Sequence, residues 1–394
     1  MRASTSCLLV PLLGLLIGCG DGDRPGGAST ASGGNTTSGG STTSGGGGDG
    51  MTSDGCSLAA VSGLDVAATD FYGGTPYALG YPSYAIDGCR LVYLAPGAGG
   101  IGAGALVLRD LHTGDETTIA GAAEEPRRPS IAGDLITWEA TVSGAPGVRV
   151  KGKSGDVITI AGAFDHAGEP RAADDAVVFT AWLGPNDTDD TDIYLYRPDT
   201  MELTAVGATP KQQRFPDISA THLAWTDFGD DASGYYKDVY SQTDKADVVT
   251  FDRATSKATQ RHRPGKQAFP ILGVAGKVAY LDWVGVQPEP KLDGYSLQIA
   301  NLGAPVELDV RVSQIYTPLI HVRPVARGAL LEWVGISENQ QSQMLRQRAD
   351  LATPAVVLPG LDGMDLVGPT ASDTLTLVGV QKSGAAVELR AFAR

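Results

Sequence analysis

Residues 129–138 read PSIAGDLITW: a proline, a short apolar stretch, a Gly-Asp turn, and an alternating strand that ends on a large aromatic. The same pattern recurs. Pro82 leads to Tyr93, Pro170 to Phe179, Pro216 to Trp225, Pro270 to Tyr280, Pro324 to Trp333 and Pro369 to Val378. The prolines lie 41 to 54 residues apart. Self-similarity at that period marks an array of one supersecondary unit. Each unit continues into further β-like runs such as DIYLYRP (192–198), DVVTFDR (247–253) and VITIAG (157–162), and long helical periodicity is missing. Four short antiparallel strands per unit, seven units and Gly-rich turns predict an all-β fold, a seven-bladed β-propeller. The proline is expected to open the innermost strand, where no ladder donor is yet needed. The aromatic is expected to pack between neighbouring blades.

The last unit supplies only three strands before the chain stops, while residues 57–70 precede the first proline with no partner in sequence. The ring is therefore expected to close by an N-terminal strand from 57–70, making the fourth strand of the last blade. Closure removes the free sheet edges that invite association, which favours a monomer.

Outside the array, Leu8–Ile17 is an apolar run after Arg2, too short to span about 30 Å of hydrocarbon. It ends in Leu16-Ile17-Gly18-Cys19, which resembles the lipobox of bacterial lipoproteins. The resemblance implies a signal peptide over 1–18, lipidation of Cys19 and attachment to the cell envelope. Gly20 in place of Asp points by the same analogy to the outer membrane. Residues 19–55 hold the lipidated cysteine and a Gly/Ser/Thr-rich tether, whose span is about 30–35 Å by chain statistics. The folded domain is then 56–394.

Once Cys7 leaves with the signal and Cys19 carries lipid, Cys56 and Cys89 remain. An even pair in an oxidising compartment predicts a disulfide; two separate buried thiols are the alternative.

The first repeat, Pro-x-Tyr-Ala-Ile-Asp-Gly-x-x-Leu-Val-Tyr (82–93), resembles that of TolB-type β-propellers. That resemblance implies the fold. It does not imply a function, because propellers host binding, scaffolding and catalysis alike.

The chain has 394 residues and a formal net charge of −15, which disfavours nucleic acid as a partner. No Gly-x-Ser-x-Gly hydrolase motif is present. Candidate binding residues concentrate on the links between blades and the loops after each second strand. Trp182, Phe228 and Trp283 each fall three residues past a repeat aromatic, where flat rings suit sugar or peptide groups. Arg128, Arg171, Arg214, His321 and Arg323 flank repeat prolines, where guanidiniums could converge on an anion. Salt bridges to acids such as Glu124, Glu125 and Glu169 would serve them equally well. Asp187, Asp189, Asp190 and Asp192 make an acidic loop that suits calcium or simply water; no other cofactor is expected. Asp227, Asp230, Asp231 and Asp238 make a second acidic loop in the next repeat. The expected function is a lipid-anchored module that binds an envelope protein or glycan. One alternative is a polysaccharide lyase or hydrolase with His321 as base and Arg323 stabilising charge. Another is a structural subunit of an envelope complex.

Overall fold

The computed structural model describes residues 55–67, 81–97, 104–160, 164–182, 190–232, 234, 245–283, 294–305, 309–316, 324–336, 341–382 and 386–394. The signal, Cys19 and the tether lie outside these residues. Among the described residues no helix is long and apolar enough to cross a membrane.

The strands form seven antiparallel four-stranded sheets. Six follow the chain without interruption, from Tyr84–Asp87 at the start of blade 1 to Val356–Val357 at the end of blade 6. The seventh takes three strands, Leu366–Ala371, Leu375–Gln381 and Ala386–Ala393, from the carboxyl-terminal repeat. Its fourth is Asp65–Ala67, paired through Asp65↔Glu388, Val66↔Val387 and Ala67↔Ala386. The propeller and its closure are as the repeat arithmetic predicts.

The core is distributed around the ring as apolar clusters, each containing one repeat residue. Trp138 packs with Val92 of blade 1, Phe179 with Val148 of blade 2 and Trp225 with Val178 of blade 3. Tyr280, Trp333, Val378 and Tyr93 continue the series, each packing with the blade before it. All seven are nearly or fully buried. A buried aromatic removes roughly 150–250 Å² from water, about 4–6 kcal/mol each at 25 cal/mol/Å². These side chains hold blade to blade.

The prolines depart from expectation. Only Pro82 and Pro324 precede their strands, Tyr84–Asp87 and Val325–Arg327. Pro129, Pro170, Pro216, Pro270 and Pro369 lie inside the innermost strand. There the ladder register slips, between Arg127 and Ser130, Gly168 and Arg171, Arg214 and Asp217, Ala268 and Ile271, and Val367 and Thr370. A bulge leaves a residue unpaired, so the missing proline N–H costs no ladder bond. In blades 2 to 5 the residue before the proline turns left-handed: Arg128 (φ 48°), Glu169 (56°), Phe215 (56°) and Phe269 (60°).

Cys56 and Cys89 form a disulfide with Cα atoms 5.3 Å apart. Cys89 sits in the two-residue turn between the first two strands of blade 1, where Gly88 takes φ 53°. Cys56 does not begin the closing strand. A 3-10 turn, Leu58–Ala60, separates them.

Candidate functional site

The bulges build the site. A residue in left-handed conformation directs its N–H out of its own ladder, and that buried donor needs an acceptor. The preceding blade supplies one. The Glu169 N–H donates to Glu139 Oε1 at 2.6 Å, the Phe215 N–H to Glu169 Oε2 at 2.8 Å, and the Phe269 N–H to Thr226 Oγ1 at 3.0 Å. Glu139, Thr180 and Thr226 each stand directly after the repeat aromatic. In blade 3, Thr180 donates its hydroxyl to Glu169 Oε2 at 3.0 Å, so Glu169 relays the contact to blade 4.

These carboxylates also hold arginines. Arg128 pairs with Glu139 at 2.7 Å, and Arg214 with Glu169 at 2.7 Å. All four side chains are buried. Burial alone would raise the Glu169 carboxyl, but the charges of Arg214 and Arg128 and the Phe215 N–H reverse this and hold it below its ordinary value. Gly168 leaves room for this carboxylate: a Cβ on it would stand 2.7 Å from Glu139 Oε1.

Above the two pairs opens a cavity of about 290 Å³. It lies where first strands begin and second strands end, the face of the inter-blade links, opposite the disulfide. Glu125, Arg127 and Thr141 line it together with the buried pairs and Trp182. The Trp182 ring stacks on His166, centroids 5.1 Å apart and planes 19° apart. Its buried indole Nε1 has no hydrogen-bond partner among the described residues. The indoles of Trp138, Trp225 and Trp333 share that condition inside the blade core; of the four, Trp182 alone lines this cavity.

The sequence-predicted residues separate. Trp182, Arg128 and Arg214 meet at the cavity. Arg171 lies in the central channel instead, its Nε 3.1 Å from Asp217 Oδ1. Phe228 is fully buried in an apolar cluster with Phe215 and Phe269, so it offers no surface to a ligand; Trp283 packs against the same cluster. The offset from the repeat aromatic therefore leads to a buried cavity wall in blade 3, to the core in blade 4 and to a partly buried ring beside that core in blade 5. His321, Arg323, Asp187 and Asp189 lie outside the described residues. Burial raises the carboxyls of both Asp190 and Asp192, and the Asp190 charge adds to it at Asp192. Glu139 was not singled out in the sequence, although a charged residue directly after the repeat aromatic was a visible signal.

No protein-family model matches the chain, and no curated protein does. Solved propellers do. An oligogalacturonate lyase from Vibrio parahaemolyticus superimposes with a TM-score of 0.57 at 10% identity, covering 86% of this chain and 95% of that one. The tricorn protease gives 0.53 at 11%, covering 82% of this chain and 34% of its own. TolB from Acinetobacter baumannii gives 0.47 at 13%, covering 72% and 67%. At such identities the likeness is one of fold. The chain is a seven-bladed β-propeller, and its similarity to TolB-type propellers stands at that level.

Proposed function

We propose that the protein is a binding module, carried on a lipid anchor at Cys19 of the cell envelope, whose ligand is a short neutral glycan received beside Trp182. The carrying observation is the cavity itself. The Trp182 ring shares its wall with arginines and carboxylates that balance, Arg127, Arg128 and Arg214 against Glu125, Glu139 and Glu169. A charge-balanced wall gives a bare anion no net attraction. Sugar hydroxyls donate and accept at once, so they match alternating guanidinium and carboxylate groups, and an aromatic wall suits their C–H faces. The volume is near the lower end of ligand pockets, which run about 300–1,000 Å³, and so fits a short segment of chain. Glycoside hydrolysis needs a carboxylic acid that keeps its proton. Glu169 is held in the opposite state and does not serve as that acid.

The test is an array of neutral and acidic oligosaccharides, oligogalacturonate among them, probed with the full chain in detergent. Neutral glycans should bind, Trp182→Ala should weaken binding tenfold or more, and Trp182→Phe, which keeps the packing and loses the N–H, should fall between. Preference for acidic glycans, or equal binding by Trp182→Ala, overturns the reading.

A further inference from the structure

Blade 4 carries a second constellation. Asp247 opens its third strand and stands directly opposite Asp227, the last residue of the second. Asp230 follows in the turn after Asp227. His262 comes directly after Arg261, the last residue of the fourth strand. Three strand ends thus deliver these residues to one end of the sheet. His262 Nδ1 lies 2.9 Å from Asp247 Oδ2 and 3.3 Å from Asp230 Oδ2. The three donor atoms lie within 4.8 Å of one another, the one such group of three among the described residues.

We propose that Asp230, Asp247 and His262 bind a divalent first-row transition ion. Bonds of about 2.0–2.2 Å to nitrogen and oxygen place neighbouring donors roughly 2.9–3.5 Å apart, and both histidine–carboxylate separations already fall there. Asp230 and Asp247 then need only to close on each other. The imidazole selects against calcium, which takes oxygen ligands alone, and favours zinc and its neighbours. A cation also relieves a standing conflict. Asp227 and Asp247 are both nearly buried, and like charges opposite one another in a ladder repel. Gln260 Nε2 donates to Asp247 Oδ2 at 2.6 Å and fixes that carboxylate, as an outer-shell partner of a metal ligand does. The site is separate from the Trp182 cavity and does not depend on it.

The His262 and Asp230 side chains are 67% and 55% exposed, so both can be replaced without touching the core. The full chain, purified without a histidine tag and stripped with a chelator, is titrated with Zn2+ and, separately, with Ca2+ by calorimetry. One equivalent of Zn2+ should bind, with affinity reduced tenfold or more in each of His262→Ala and Asp230→Asn, and Ca2+ should bind at least tenfold more weakly than Zn2+. Absence of stoichiometric uptake, unchanged Zn2+ affinity in both variants, or Ca2+ binding as tight as Zn2+ would overturn the assignment.

Discussion

Glu139 accepts the backbone N–H of Glu169 at 2.6 Å across the boundary between blades 2 and 3. One oxygen of one side chain thereby satisfies a bulge in the next blade and pairs with Arg128 in its own. Removing it with Glu139→Ala leaves a buried guanidinium and a buried N–H together. Breaking such a pair from one side costs about 3–5 kcal/mol. Urea denaturation should show a loss of that size, and Glu139→Gln, which can still accept the N–H, should lose less.

Gly168→Ala tests the same contact sterically. The new methyl would meet the Glu139 carboxylate at 2.7 Å, so it should displace that side chain, lower Tm by several degrees and weaken binding in the cavity. A variant as stable as the parent would show that the carboxylate moves freely.

Acid should act through Glu169. Its folded value lies below its ordinary one, so its contribution is fully present above the unfolded carboxylate range and is lost as pH falls through the folded value. The stability gap between the parent and Glu169→Gln should therefore be constant near neutrality and narrow at strongly acid pH. Thermal melts from pH 7 downward measure it; a gap that widens with acid contradicts the assignment.

Ring closure has local ties that single substitutions can test. The Tyr84 hydroxyl of blade 1 donates to the Gly368 carbonyl of blade 7 at 2.5 Å, and Tyr84→Phe should cost about 1–2 kcal/mol by leaving that carbonyl unsatisfied. The Cys56–Cys89 disulfide ties the segment before the closing strand to blade 1. Closing a loop of this length contributes about 2–4 kcal/mol, so reduction should lower the urea midpoint, and Cys56→Ala with Cys89→Ala should make the protein insensitive to reductant.

The blades were legible because Trp138, Trp225 and Trp333 repeat both chemistry and spacing. Closure was legible because the last repeat lacked a strand. The bulges were not, since one backbone conformation is carried by unlike side chains, a cation at Arg128, an anion at Glu169 and aromatic rings at Phe215 and Phe269. Arg128 and Arg214 were legible as basic residues beside prolines and Glu169 as an acid able to pair with them, as it does with Arg214, but Glu139 lies on a different strand from Arg128, so the full balance of charge emerged only on folding. Asp247 and His262 are 15 residues apart and match no motif; the ends of separate strands bring them together.

Selective 15N labelling of the five tryptophans reads the ligand wall at one atom. When the full chain is saturated with the tightest-binding neutral oligosaccharide, the Trp182 indole N–H resonance should shift as the ligand packs against its ring, while those of Trp138, Trp225 and Trp333, buried between blades, stay in place. A saturated complex in which the Trp182 resonance does not move would place the ligand elsewhere and contradict the assignment of the cavity.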